Sequence, residues 1–371
     1  MRVTHLSLRD FRSYADAEVD LAEGLTVVEG PNGEGKTNLV EAIVWLSGAG
    51  SLRGAPDEAL VRRGAQEAIV RAEVVGDDAR EHLIEVAINA RGRNRIQVDR
   101  QAVRRVADLA GTLVVTVFAP DDLEVVKGSP SRRRRWIDEA VTACRPRTAR
   151  LRSELERILR QRNALLRQAG GRLDESARIT LDVWDAKLAE VGDRLRTERL
   201  TTLAALRPAL VEVHRRVAGG SDELAAEYVS SWPADEALAD ALARVRDLDV
   251  RRGVTTVGPH RDDIEFTVDG LAARVHASQG EQRTVAVALR LAVDAVVRAE
   301  RAVVPVLVLD DVFSELDDER AARLVEALPP GQRIVTTATG LPPGTRAERV
   351  LRVSAGRVKP VEPGPDLVVA R

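Results

Sequence analysis

Cysteine is nearly absent, with Cys144 the only one in 371 residues. A single thiol closes no internal disulfide, and the five histidines are scattered without metal-ligand spacing, so a disulfide framework and a Cys/His zinc site are both excluded. Cys144 reads as a packed thiol. Aromatic residues are also scarce: four Trp, two Tyr and four Phe are too few for a base-stacking track. Lysine is rarer still, four residues against fifty-two arginines, which makes arginine the default cation. No hydrophobic run approaches the length of a membrane span. The opening residues Met1-Arg2-Val3-Thr4-His5-Leu6-Ser7-Leu8 alternate like a strand rather than forming a signal-peptide core, so a cytoplasmic protein with no membrane partner is expected.

What is present suffices for two or three domains, with 44% hydrophobic residues to build their cores. A net charge of −2 gives the whole molecule no strong positive field. The distribution is less even. Between Gly128 and Gly170 twelve arginines face four acids, and between Arg91 and Arg105 six arginines face Asp99 alone. Both stretches are candidate phosphate-binding surfaces, set against the alternative that such arginines line solvated helix faces.

Residues 25–46 carry the first chemical motif. Leu25-Thr26-Val27-Val28-Glu29 has strand character, Asn38 onwards has helical character, and between them lies Gly30-Pro31-Asn32-Gly33-Glu34-Gly35-Lys36-Thr37. Gly30, Gly35, Lys36 and Thr37 fit the phosphate-loop pattern, in which glycines turn backbone N–H groups inward around a phosphate. The helix N-terminus adds its positive end, Lys36 reaches the β/γ oxygens and the Thr37 hydroxyl takes Mg²⁺. ATP and Mg²⁺ are the expected cofactors.

Further along, Ala68–Val75, His82–Asn89 and Asn94–Val98 alternate as strands of an antiparallel layer, and Leu113–Phe118 is a continuous apolar run. Leucines then recur at steps of three and four, which predicts packed antiparallel helices, with Pro208 as a kink or a boundary. The expected organisation is an α/β part bearing the phosphate loop over 1–127, an all-helical lobe over 128–247, and a second α/β part over 248–371. A tail from Pro360 reads as loosely ordered.

A second nucleotide motif is Val306-Leu307-Val308-Leu309-Asp310-Asp311, a hydrophobic strand ending in acids. Asp310 is expected to hold Mg²⁺ with Thr37, and Asp311 to orient or deprotonate the attacking water. Lys36 and Asp311 are the catalytic candidates. Ser278-Gln279-Gly280 opens a helix and offers a hydroxyl and free N–H groups to a second phosphate. A second cradle beside a complete phosphate loop suggests a second molecule.

These motifs, in this order, resemble the ATP-binding-cassette heads of the SMC type. Over the whole chain the closer resemblance is to the RecF family of bacterial recombination and repair ATPases. It is carried by Leu8–Tyr14, Gly30–Asn38, Gly128-Ser129-Pro130 with Arg132–Arg135, Gly258–Asp263, Ala277–Arg283 and Leu309–Asp317. The resemblance implies an α/β head of the ABC type, a mixed sheet with an antiparallel β-layer, bearing an inserted all-helical lobe. Gly30, Pro31, Asn32, Gly33, Glu34, Gly35, Lys36, Thr37 and Asn38 correspond to its nucleotide loop. Ser278, Gln279 and Gly280 correspond to a signature that binds ATP held by a second copy, and Glu315-Leu316-Asp317 to a loop crossing the dimer. The implied function is an ATP-induced homodimer at double-strand/single-strand junctions of gapped DNA, working with RecR and RecO to load RecA.

Two departures from the wider cassette pattern bear on rate. The catalytic position holds Asp311 rather than Glu, and Val335-Thr336-Thr337 brings no switch histidine. A shorter carboxylate positions water less well, so hydrolysis is expected to be slow and DNA-stimulated, a timer on the DNA-bound state. With the resemblance, Arg132, Arg133, Arg134 and Arg135 become candidate DNA contacts, and Arg12 and Gly258–Asp263 candidates for the nucleotide neighbourhood. The rival readings are a transporter ATPase subunit and an SMC-like structural clamp.

Overall fold

The computed structural model describes residues 1–361 apart from 105, 221, 315 and 344, and also 368 and 369. It divides into two compact units. The first comprises Met1–Leu123, Glu212–Ser221 and Ser278–Arg371, and the second Glu124–Val211 and Asp222–Ala277.

In the first unit, β1 (Arg2–Phe11) and β2 (Tyr14–Asp20) form a hairpin, and β3 (Leu25–Glu29) leads into α1 (Lys36–Val44). Then come β4 (Glu67–Val75), β5 (Glu81–Asn89), β6 (Arg95–Val98), β7 (Gln101–Val103) and β8 (Val115–Phe118). Six of these strands make an antiparallel sheet in the order β2-β1-β4-β5-β6-β7. Its alternation is legible in β4, where Ala68, Val70, Ala72 and Val74 are buried while Arg71 and Glu73 are exposed. The helix of α1 passes into a π turn, Trp45–Ala49, and stops at the glycines Gly48 and Gly50. Leu39, Val40 and Ile43 of α1 join Leu6 and Leu8 of β1 in one buried cluster.

The second unit holds α2 (Leu123–Lys127, all but its first residue), α3 (Pro130–Cys144), α4 (Ala149–Gln168) and most of α5 (Glu175–Ala218). It continues with β9 (Leu224–Val229), α6 (Leu238–Arg252), β10 (Asp263–Val268), β11 (Leu271–Ala272) and α7 (Ala273–His276). Its core includes Leu151, Leu155 and Ile158 of α4 with Leu238, Ala241 and Leu242 of α6. Cys144 is buried.

Three expectations change here. The unit is not all helical, because β9, β10 and β11 form a three-stranded antiparallel sheet that buries Phe266 edge-on against Trp136. The 128–247 limits change accordingly, since β10, β11 and α7 pack with this unit as far as Ala277. Pro208 neither ends nor divides a helix, but lies inside the 44-residue α5. Leu203, Leu206 and Leu210 are all buried around it, and that packing outweighs the roughly 3 kcal/mol an interior proline costs.

The first unit resumes with α8 (Gln279–Arg301), β12 (Val306–Asp310), α9 (Asp318–Ala327), β13 (Arg333–Thr337), β14 (Arg346–Ala347), β15 (Arg349–Ser354), β16 (Arg357–Val361) and β17 (Val368–Val369). The second six-stranded sheet runs β16-β15-β3-β13-β12-β8, parallel except for β16. β12 is buried at every residue, as a strand covered on both faces should be. At the start of the tail, Pro360 and Val361 belong to the outermost strand, where a missing N–H is tolerated. Residues 362–367, 370 and 371 of that tail lie outside the described residues. Among the described residues no helix is long and apolar enough to cross a membrane.

Candidate functional site

The phosphate-loop sequence forms the turn between β3 and α1. Gly35 takes φ +119°, and a Cβ there would come within 2.7 Å of the Ser13 hydroxyl oxygen and 3.0 Å of Tyr14 Oη. Gly30 is equally constrained, since its Cβ would meet the Val353 carbonyl at 2.3 Å. Gly35 caps α1 without a side chain, which leaves the first-turn N–H groups to a ligand. The Lys36 ammonium donates to the carbonyls of Gly30 at 2.6 Å and Pro31 at 2.9 Å, and to Asn32 Oδ1 at 3.4 Å. Burial lowers the Lys36 pKa, against the opposing pull of Asp311, Asp310 and Glu34.

Residues outside the motif hold this loop. Tyr14, fully buried, donates its hydroxyl to the Gly35 carbonyl at 2.9 Å, and Asn38 Nδ2 donates to Ser13 Oγ at 3.0 Å. The Glu34 carboxylate accepts from the Ala355 N–H, and Arg352 pairs with Glu29. No sequence pattern announced these braces, although Ser13-Tyr14 fell within a stretch carrying the family resemblance.

The two nucleotide motifs meet. Thr37 Oγ1 lies 3.0 and 2.9 Å from the carboxylate oxygens of Asp310 at the end of β12. Thr336 Oγ1, from the neighbouring β13, donates to Asp310 Oδ1 at 2.6 Å and accepts from the Asp311 N–H at 3.0 Å. Burial raises the Asp310 pKa, and nearby Asp311 adds to the rise, while Thr336, Thr37 and the positive charge of Arg53 oppose it. Asp311 itself sits at φ +51°, a left-handed conformation that Asp and Asn adopt more readily than longer side chains do. Thr336 and Arg53 were missed in the sequence, because a threonine closing a strand and an arginine in a polar loop carry no motif.

Ser278 and Gln279 are exposed at the start of α8. Ser278 forms a capping box with Glu281, its hydroxyl accepting from the Glu281 N–H and its N–H donating to the Glu281 carboxylate. The Arg320 guanidinium of α9 overlies Gly280, where a Cβ would come within 2.6 Å of Nη1. One turn into α8, buried Arg283 donates to the Val312 carbonyl at 2.9 Å and to the Asp311 carbonyl, tying the signature helix to the segment after β12. Asp317 N-caps α9, whereas Glu315 lies outside the described residues.

The arginine run of α3 is split by the helix period. Arg133 is 6% exposed, grips both Asp263 oxygens at 2.7 and 2.8 Å and donates to the Gly128 carbonyl. Arg134 donates to the Asp262 carbonyl at 2.7 Å, and Arg135 pairs with Glu139 one turn on. Arg133 and Arg134 are therefore structural, and the expected four-arginine surface reduces to Arg132 and Arg135. The Gly258–Asp263 stretch is their anchor: Asp262 also accepts from Ser231 and Tyr228, and the Pro259 carbonyl accepts from Arg199. Arg12 is held by a buried carboxylate, Nε and Nη2 reaching Glu41 at 2.8 and 3.1 Å.

Comparison with known proteins agrees with this arrangement. A family model described as the RecF/RecN/SMC N terminal domain matches residues 2–354. The chain is 45% identical over 377 residues to the DNA replication and repair protein RecF of Streptomyces avermitilis, covering 97% of this chain and 100% of the relative. With the same protein of Frankia alni it shares 43% identity, over 91% of this chain and 93% of the relative. A solved structure of the recombination mediator protein RecF-ATP in the RecFOR pathway superimposes with a TM-score of 0.87 at 28% identity, covering 97% of each chain. An SMC head bound to the C-winged helix domain of ScpA, at 17% identity and a TM-score of 0.58, shares the fold alone. The head architecture expected from the motifs is borne out, and the chain belongs to the RecF family of DNA replication and repair proteins, ATPases of the ABC/SMC type.

Proposed function

We propose that this protein is an ATP-dependent DNA-binding protein of recombinational repair, a dimer switch set by nucleotide. The observation carrying the nucleotide reading is the contact of Thr37 with Asp310, 273 residues apart in sequence, beside the lysine of the loop. Lys36 and the N–H groups of 30–38 would hold the phosphates of ATP. Thr37 and Asp310 supply hard oxygen donors, as Mg²⁺ requires, and among the described residues no cluster of three His, Cys, Asp or Glu side chains cages a metal. One hydroxyl and one carboxylate suit an ion that also keeps waters and substrate phosphates. Bound ATP with Mg²⁺ supplies the reactive phosphoanhydride and the cation that neutralises it.

Asp311 would orient or deprotonate the attacking water. Its short side chain, with threonines where a switch histidine would stand, supports slow hydrolysis that DNA accelerates. Ser278, Gln279 and Gly280 of a second copy are the proposed completion of the site, which makes ATP the glue of a homodimer. Family membership supports binding at gapped DNA junctions, and the relative solved within the RecFOR pathway supports work beside RecR and RecO in loading RecA. A cytoplasmic setting follows from that role.

Gel filtration of the full chain with ATP and Mg²⁺, with and without gapped DNA, tests the reading. Conversion from monomer to dimer on ATP, with DNA-stimulated phosphate release, is the expected result. A species unchanged by nucleotide would overturn it.

A further inference from the structure

Once Arg133, Arg134 and the fully buried Arg162 are removed from the basic stretch, four of the nine arginines left line up on one face of α4. Arg162 is spent on Asp185 and Asp249. Arg150, Arg157, Arg160 and Arg167 of α4 are exposed, and among the described residues no hydrogen bond or ion pair engages their side chains. At 100° per residue they fall within an arc of roughly 120° along about 26 Å of helix. The positions between them on that face are Ser153, Gln161, Ala164 and Gln168, all exposed and none acidic. Glu154 and Glu156 flank the face, and Glu156 is already paired with Arg152.

Such a row disfavours the isolated helix, because like charges three and four residues apart repel and Arg157 and Arg160 are such a pair. Helix-end electrostatics accounts only for Arg167, one residue from the end of α4 and packed against Gly253 where α6 ends in exposed Arg251 and Arg252. It does not account for Arg150, Arg157 or Arg160. A planar fork of donors repeated along a straight edge, without aromatics, matches a run of phosphates rather than bases.

The geometry points to this face of α4 as the seat of the DNA duplex backbone, with Arg150, Arg157, Arg160 and Arg167 as phosphate contacts. It rests on the DNA-binding reading above and replaces the α3 run as its surface. At about 3.4 Å per base pair the row spans roughly seven or eight pairs of one duplex edge. The contacts are blind to sequence and their strength is set by counterion release.

The test is fluorescence anisotropy of the full-length protein with ATP and Mg²⁺ on gapped duplex DNA across a salt series. The wild type is compared with Arg150→Gln/Arg157→Gln/Arg160→Gln/Arg167→Gln, and with a control of equal charge change, Arg91→Gln/Arg93→Gln/Arg100→Gln/Arg104→Gln. Circular dichroism checks that each variant folds, and single Arg157→Gln and Arg160→Gln variants stand in should the fourfold variant not. Expected is an affinity loss on the order of 10²-fold at low salt for the α4 variant, with the log–log salt slope shallower by roughly 3–4. Each single variant should lower the slope by about one. The control should keep the wild-type slope. Equal affinity and slope for wild type and α4 variant, or a loss confined to the control or to single-stranded DNA, would overturn this assignment while leaving DNA binding intact. A wild type that binds no DNA would overturn both this assignment and the reading it rests on.

Discussion

The hydroxyl of Thr37 lies within 3.0 Å of both carboxylate oxygens of Asp310, so the first and last thirds of the chain converge on one pair of oxygen donors. Replacing Asp310 by Asn keeps the shape and removes the charge. The expected outcome is a loss of about 100-fold in ATP affinity with Mg²⁺ present and little change without it. Calorimetric titration with and without Mg²⁺ reads the difference, and an equal loss in both would assign Asp310 to the scaffold.

Asp311→Asn should fold as well as the parent, because Asn tolerates the left-handed backbone at φ +51°. It should slow hydrolysis by roughly 10²–10⁴-fold while nucleotide affinity stays within a few-fold. Single-turnover phosphate release measures this. Retained hydrolysis would move the water-orienting role to another group.

Tyr14→Phe removes the hydrogen bond that fixes the Gly35 carbonyl. The carbonyl keeps the Leu39 N–H as a donor, so the loss of this one bond should cost about 0.5–1.5 kcal/mol of stability. ATP affinity should fall as well, because the loop loses its brace. Denaturant melts with and without ATP separate the two effects.

Arg133→Ala leaves Asp263 without its bidentate partner. The expected effect is a destabilisation of roughly 2–4 kcal/mol. Arg132→Ala, on the exposed side of the same helix, should change stability by less than about 0.5 kcal/mol. Thermal unfolding of the two variants side by side checks the distinction.

His260 is largely buried, with its Nε2 at 3.2 Å from the Thr255 carbonyl. Burial, with repulsion from Arg261, Arg134 and Arg162, pushes its pKa down to about 4. An imidazole whose folded pKa lies below its unfolded value stabilises the native state above that unfolded value, near 6.5. That contribution is lost as pH falls through the window toward 4. The loss is on the order of 3 kcal/mol. Urea melts at pH 7 and 4.5 should show a smaller pH difference for His260→Gln than for the wild type.

The head was legible because its chemistry is written as local patterns. Gly30–Thr37 and Leu309–Asp311 name their own strands, loops and helix, and alternation in 68–98 named the antiparallel layer. Long-range pairing leaves no such mark, so β15, which lies beside β3, was absent from the sequence reading. The arginine run 132–135 misled for a related reason: composition counts charges, whereas the helix period buries Arg133 and exposes Arg132. Tyr14, Thr336 and Arg283 act through hydrogen bonds to backbone or carboxylate groups across the fold, which no spacing rule reports.

The place of β3 has a consequence for the chain during its synthesis. Both its neighbours, β13 and β15, come from the last forty residues. At 5–20 residues per second, roughly 15–65 seconds separate the emergence of β3 from that of β15. For most of that interval the phosphate-loop sequence exists without Asp310 or Thr336, and until β13 emerges β3 presents two unpaired edges to the ribosome exit and to chaperones. A nascent chain stopped before Asp310 carries the phosphate-loop sequence without the groups from β12, β13 and β15 that complete its pocket.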